Sequence, residues 1–370
     1  MSLDFSQAES LKQTVVRHSR AGDLSLYAEA QQRGMTLSEL LEELDPSPRD
    51  PRMRGDDSQL GGGVSRGDGY PDAFERQMLV LGLAGTGRRA ITVEDFYLGG
   101  GMILLPEFIQ REIERGYRLV QDPRELLAAS VAVSGPSIKP IYIKLENAKE
   151  SFAKRSDGAA YPSVQLLYRE KEANIQDKGR RFDFSYKVVR GQRLDEFKVF
   201  LWWIGAQFAY DEIDEIYNII VNGDGTSPGA ANVFNGSAGS WLYSDMVHLA
   251  MSFDVPSQMT HVLGTKTDIE KILNLSQYQD PDTWHAAQLF SQQGRYQGLL
   301  PMNAKLVVSP NATSTKFAAL DKRFAIRESV AQPLMIEAEK IITQKLESAV
   351  ISKESVYTIM VDEAIKTSDY

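Results

Sequence analysis

Asp211, Glu212, Asp214 and Glu215 crowd into five positions of this chain. On a helix, Asp211 lies one turn from both Asp214 and Glu215. Paired carboxylates of this kind can serve as general acid and base, or gather oxygen ligands around a divalent cation. No histidine or further carboxylate lies close in sequence, however, and the opposite face of the stretch is apolar. The cluster therefore reads better as a solvated or partner-facing helix surface than as a catalytic or metal centre.

The other candidate motifs carry less. Gly82-Leu83-Ala84-Gly85-Thr86-Gly87 suggests a phosphate loop, but Arg88-Arg89 stand where the lysine and hydroxyl residue belong, and no suitable strand precedes it. Asn222-Gly223-Asp224-Gly225 lacks the spaced acidic ligands of a calcium loop and reads as a tight turn. The segment Ser25–Leu44, with Gly34 at a turn, has helix-turn-helix proportions, but Glu39, Glu42 and Glu43 fall where a recognition helix would be basic. Two Arg-Gly-Asp triplets (54–56 and 66–68) follow from local composition, and no Ser-His-Asp order stands out.

Composition narrows the field further. The 370 residues include no cysteine, which excludes disulfides, Cys-ligated zinc and a thiol nucleophile. His18, His248, His261 and His285 are scattered, so a His-rich metal site is not expected. The net charge of −9 argues against a protein that grips nucleic acid over a broad surface. No stretch approaches the roughly 20 apolar residues of a membrane helix, and the N-terminus lacks the order of a signal peptide. A cytoplasmic site of synthesis is expected, and the sequons at Asn235, Asn274 and Asn311 are incidental. Charge is unevenly divided: residues 139–190 sum to +5 and the remainder to −14.

The elements that must position these groups follow from spacing. Residues 1–44 read as short helices, with Leu11, Val15, Leu24 and Tyr27 at mostly helical intervals. Thr36 and Glu39 form a capping box before Leu37, Leu40, Leu41 and Leu44, so a helix starts near Thr36 and stops at Asp45-Pro46. Residues 45–72, rich in Pro, Gly, Asp and Arg, read as an extended arm. Met102-Ile103-Leu104-Leu105 reads as a short strand, followed by a helix with Pro106 in its first turn and Ile109, Ile113 and Tyr117 on one face.

Residues 139–190 alternate as a long two-stranded hairpin: Ile141 and Ile143, then Val164, Leu166 and Tyr168, then Phe182, Phe184 and Tyr186. Its polar turn is Lys154-Arg155-Ser156-Asp157-Gly158. Residues 192–221 give the strongest helical pattern, with Leu194, Phe197, Leu201, Ile204, Phe208, Ile213, Ile216, Tyr217 and Ile220 on the apolar face and Asn222-Gly223 as the stop. About 30 residues span roughly 45 Å. Residues 222–240 form a Gly/Asn/Ser loop. Helices at 268–275 and 281–290 and a strand at 305–309 follow, then strands at 324–327, 334–340 and 356–361.

This order resembles the major capsid protein of tailed bacteriophages, the Hong Kong 97-type fold, over about residues 100–370. Four stretches carry the resemblance: GGGMILLPEFIQREIER (99–115) with QDPRELLAASVAVSG (121–135), the hairpin 139–190, the long helix running into a G-D-G-T-x-P-G turn (184–234), and LLPMNAKLVVSP with ALDKRFAIRES (299–310 and 319–329). The resemblance implies an α+β fold: an N-terminal arm (1–72) with its continuation and peripheral-domain entry (73–138), an extended β-hairpin loop (139–190), a spine helix (191–222), an axial domain (223–310) and peripheral-domain return strands (311–370).

It implies a structural protein rather than an enzyme, with no cofactor and no metal. Copies would form pentamers and hexamers that close into an icosahedral shell around double-stranded DNA. The protein would be assembled in the host cytoplasm and located in the virion, with portal, scaffold and decoration proteins as further partners. The charge map suggests how copies meet: Lys154, Arg155, Arg180 and Arg181 of the basic hairpin against Asp211, Glu212, Asp214 and Glu215 of a neighbour. Some members of this family weld the hairpin to a neighbour by an isopeptide bond. Lys154 lies near the tip, but no partner for it is identified. The first 72 residues match no fixed pattern; retention rather than proteolytic removal is expected, and N-terminal sequencing of particles would test it. An encapsulin-like compartment and a soluble enzyme with an acidic site at 211–215 remain as alternatives.

Overall fold

The computed structural model describes residues 6–21, 25–47, 71–83, 92–143, 166–185, 193–233, 241–276, 304–341 and 346–369. These mix helix and strand and fall into two units that the chain visits in turn. The first takes residues 1–117, 180–205 and 335–351; the second takes 118–179, 206–334 and 352–370.

In the first unit, helices α1 (Ser6–Ala21), α2 (Ser25–Gln32) and α3 (Leu37–Leu44) are followed by α4 (Ala73–Val80), α5 (Glu94–Leu98) and α6 (Leu105–Leu119). The capping box at Thr36 forms as its spacing predicts, with Thr36 Oγ1 accepting from the Glu39 N–H and Glu39 Oε2 accepting from the Thr36 N–H. Asp72 and Glu75 cap α4 in the same way. Leu37, Leu40 and Leu41 are buried, so α3 packs its apolar face into the core. The strand expected at 102–105 is instead a 3-10 turn, Met102–Leu104, leading directly into α6. A four-residue apolar run suits either form, and Pro106 pre-organises the helical one.

The chain continues through β1 (Ala129–Ala132), β2 (Ser137–Ile138), β3 (Ile141–Ile143), β4 (Leu166–Tyr168), β5 (Ala173–Asn174) and β6 (Gln176–Ser185) to the long helix α7 (Leu194–Asn222). The hairpin exists, with β3 antiparallel to β4 and β2 antiparallel to β5. Strand β6, which carries Phe182 and Phe184, pairs outside the hairpin in a sheet of order β1-β11-β12-β6, where β11 is Ile326–Ile341 and β12 is Leu346–Ile359. Alternation marks a strand but does not name its neighbour.

After α7 come β7 (Ala231–Asn232), α8 (Tyr243–Met251), β8 (His261–Gly264), α9 (Lys266–Leu273), β9 (Lys305–Val308), β10 (Lys316–Leu320) and, at the end, β13 (Ile365–Asp369). A five-stranded sheet runs β7-β13-β10-β8-β9. Successive side chains sort to its two faces, as strand geometry requires. Val262, Leu306, Phe317 and Ala319 join Met246, Leu249, Ile269 and Ile272 of α8 and α9 in one core. Leu263, Val307, Ala318 and Leu320 join Ile213, Ile216, Tyr217 and Ile220 of α7 in the other. β10 and β13 complete the sheet that β8 and β9 begin, so this sheet draws strands from both sides of residue 310. The helix expected at 281–290 lies outside the described residues.

The helix α7 is 29 residues long, as predicted. Its first half buries Leu194, Phe197, Leu201 and Ile204, and its second half buries Ile213, Ile216, Tyr217 and Ile220. At 100° per residue the centres of these two faces lie about 130° apart around the helix, roughly a third of a turn. In the first unit, α6 and α7 touch through glycines. A Cβ on Gly116 would lie 2.3 Å from the Trp202 carbonyl, and one on Gly205 would lie 2.1 Å from that of Ile113.

Candidate functional site

The acidic cluster lies in the second half of α7, and two of its four members, Glu212 and Asp214, are buried where a solvated face was expected. Glu212 is buried and pairs with Lys353 of β12 at 2.5 Å. Lys353 also meets Glu328 of β11 at 2.7 Å. Asp214 is buried and accepts hydrogen bonds from the Ser309 hydroxyl, the Asn311 N–H at 3.1 Å and the Asn311 amide at 2.7 Å. Glu215 receives both its hydrogen bonds from Lys178 of β6, each at 2.5 Å. The Lys178 ammonium also lies 4.8 Å from the Tyr357 ring centroid. The physical reason is burial: the sheet packs over this part of the helix, and buried carboxylates need donors.

Burial shifts these groups in definable directions. Burial raises Glu215 above the ordinary carboxylate range, with Lys178 pulling the other way. Burial alone would lower the Lys353 ammonium, but Glu212 and Glu328 outweigh it and hold its pKa above the ordinary lysine value. Asp211 is half-buried beside a shallow cavity of about 370 Å³ that also touches Asp214, Asn218, Asn222 and Asn311. Its carboxylate lining is already engaged by protein donors at Asp214 and Glu215, so the arrangement holds elements together rather than leaving a base exposed to substrate.

The turn after α7 is built from one side chain. Gly223 adopts φ +90° and donates its N–H to the Ile219 carbonyl at 2.8 Å, the left-handed helix stop that glycine permits. Asp224 Oδ1 then accepts from Thr226 N–H, Thr226 Oγ1 and Ser227 N–H, and Asp224 Oδ2 accepts from the Ile359 N–H at 2.8 Å. A Cβ on Gly229 would meet the Val221 carbonyl at 2.1 Å, so the chain returns tightly against the helix end.

The hairpin base is pinned to this turn. Arg169, just after β4, donates to Asp362 Oδ1 at 2.6 Å and lies 4.5 Å from the Tyr142 ring centroid. The same Asp362 oxygen accepts from Ser227 Oγ at 3.0 Å. One carboxylate thus ties the hairpin, the turn and the C-terminal segment together.

Of the residues singled out for contact between copies, Arg180 and Arg181 lie exposed on β6. Lys154 and Arg155 lie outside the described residues. Sequence reading missed Lys178, Arg169, Glu328, Lys353 and Asp362, whose roles depend on pairings far apart in the chain. Asp224 could have been found, since Asx side chains between glycines commonly brace turns.

Against known proteins, no family model matches the chain, and no curated protein matches it in sequence. Its fold is similar to several solved structures. One is a virus-like particle from Pyrococcus furiosus, at 12% identity and TM-score 0.49, covering 72% of this chain and 99% of that one. Another is a phage-related protein from Bordetella bronchiseptica RB50, at 9% identity and TM-score 0.48, covering 70% and 95%. A third is the capsid of a native GTA particle, at 13% identity and TM-score 0.45, covering 68% and 91%.

Proposed function

We propose that this chain is a shell subunit of the Hong Kong 97 type, which self-assembles as pentamers and hexamers into an icosahedral container for phage DNA. The observation that carries the reading is the join between α7 and its surroundings: 29 unbroken helical residues run into the Asp224-braced turn, and the hairpin base is locked to that turn through Arg169, Asp362 and Ser227. The join fixes the hairpin base to the end of the helix, which suits a part that must repeat its geometry many times. The particle and capsid chains named above are compatible with this reading but do not carry it.

Two surfaces suit contact between copies. Val199 and Trp203 are 59% and 57% exposed, one helical turn apart on α7, with Phe200 beside them and opposite Leu201 and Ile204. Clustered exposed apolar side chains commonly mark a protein interface. Arg180 and Arg181 supply positive charge on β6. In a shell the net charge of −9 would keep packaged phosphates off the wall. Portal, scaffold and decoration proteins would complete the particle.

Electron microscopy of the purified protein tests the reading: closed shells are expected, and a population of only monomers or dimers would refute it. DNA inside the particle separates a phage capsid from an encapsulin-like compartment, which would hold protein. The Arg180→Glu/Arg181→Glu pair, compared first with the parent for folding by circular dichroism, should block shell formation. Normal particles from it would remove these residues from the contact. Glu212, Asp214 and Glu215 are bound to donors of the same chain, which counts against the acidic-enzyme reading.

A further inference from the structure

Arg76 of α4 is 2% exposed, and its guanidinium reaches chain segments on both sides of residues 48–70. Nε donates to Asp45 Oδ2 at 2.9 Å and Nη2 to the Asp45 carbonyl. Nη1 donates to Ser47 Oγ and to the Pro71 carbonyl, each at 2.8 Å. Glu42 makes the matching clamp from the other side: one carboxylate oxygen accepts from the Ser47 N–H at 2.8 Å and the other from the Ala73 N–H at 2.9 Å. Bonds from these groups hold its pKa below the usual carboxylate range, although burial alone would raise it. Positions 47 and 71 are thus fastened to a common pair of charged groups.

Further bonds join the N-terminal helices to the same surface. The Gln77 amide donates to the Ala8 carbonyl at 2.8 Å, Tyr27 Oη to the Ile103 carbonyl at 2.7 Å, and Ser38 Oγ to Glu107 at 2.5 Å. Val15, Leu26, Leu37, Leu40 and Leu41 are buried, and a Cβ on Gly100 would press against Val16 at 3.2 Å. An apolar face with buried, satisfied charged pairs at its edge is the composition of a stable interface, not of a tethered tail.

We infer that the surface formed by α4 to α6 is a binding face for the chain's own helices α1 to α3, and that their attachment does not depend on the peptide connection through residues 48–70. The N-terminal helices are a resident part of the subunit. A cut in the connection leaves them in place, with Arg76 and Glu42 as the pins.

The test uses the full chain carrying a specific protease site between Gly61 and Gly62, cut to completion under native conditions and passed over a sizing column. At about 10 µM, about nine-tenths of the N-terminal fragment should co-elute with the remainder, which requires a Kd below about 0.1 µM. Separation of the two pieces would overturn the inference. Arg76→Met should raise the released fraction at least about fivefold. Because Arg76→Met strands the buried Asp45 carboxylate, Glu42→Ala serves as the second variant, with the circular dichroism of each uncut variant compared first with the parent. Should both cut variants hold their fragment as tightly as the parent, Arg76 and Glu42 are not the pins and that part of the inference fails.

Discussion

Replacing Lys353 with methionine removes the one cation set between two buried carboxylates, and its cost can be worked from the geometry. The side chains of Lys353, Glu212 and Glu328 are 12%, 4% and 5% exposed, with the ammonium 2.5 and 2.7 Å from its partners. At an effective dielectric of about 20, each contact is worth about 6 kcal/mol of attraction. Most of that is offset by the cost of taking three charges out of water. Methionine keeps most of the stem's volume, so packing loss is small. What remains is a pair of stranded carboxylates, for which a loss of about 3–5 kcal/mol at pH 7.5 is expected.

The pH dependence separates this cause from a packing defect. In the parent, the raised pKa of Lys353 means its stabilisation is present below the ordinary lysine pKa and is lost only as pH rises through the higher folded value. Across pH 5–8 the parent's lysine therefore contributes a constant amount. In the variant the buried carboxylates lose this cation, and burial without a counter-ion favours the neutral form of a carboxyl. A carboxyl raised in this way regains stability as pH falls, by up to about 1.4 kcal/mol per unit. Urea unfolding of unassembled subunits, followed by tryptophan fluorescence at pH 8 and pH 5.5, should show the parent–variant gap shrinking by half or more. Adding Glu212→Gln and Glu328→Gln to the variant should recover most of the loss. A loss below about 1 kcal/mol, or a gap unchanged by pH, would show that Lys353 does not neutralise these carboxylates.

Three further outcomes are expected. Gly205→Ala places a Cβ 2.1 Å from the Ile113 carbonyl, so helices α6 and α7 must part; a loss of about 1–3 kcal/mol in denaturant unfolding is expected. Asp224→Ala frees four donors at the end of α7 and should cost about 2–3 kcal/mol, while Asp224→Asn, which keeps one acceptor oxygen, should recover part of it by the same measurement. Burial, with Lys305 and Lys322 nearby, lowers His261 to about 4 against attraction from Glu125 and Asp321. Its neutral-state stability is present above about pH 6.5 and is lost as pH falls towards 4, by about 3 kcal/mol. His261→Leu should flatten that part of the stability–pH curve, and an unchanged slope would assign the acid sensitivity to another group.

What could be read from the sequence was whatever is decided within a few residues. The Thr36–Glu39 cap, the 29-residue helix and the glycine stop at 223 are local events, governed by donors and dihedrals three or four positions apart. The pairing of β6 with β12, and of β10 with both β8 and β13, joins residues far apart in the chain, and period-two alternation is the same whichever strand lies alongside. The same limit applies to the candidate site. Acidic residues on one face of α7 were plain from spacing, but whether they met solvent, a neighbour or an internal lysine depended on where β6, β11 and β12 come to lie.

That distinction changes what the charge division means. The +5 of residues 139–190 and the −14 of the rest suggested attraction between copies. Much of it is instead spent inside one subunit: Lys178 on Glu215 and Arg169 on Asp362 both join the basic segment to the acidic remainder of the same chain. Charge reversal at Glu215 should therefore damage the subunit before it damages any assembly, and reversal at Arg180 and Arg181, the proposed contact residues, is the comparison. The two reversals, compared for subunit stability and for particle yield, distinguish charges that hold a subunit's shape from charges that join one subunit to the next.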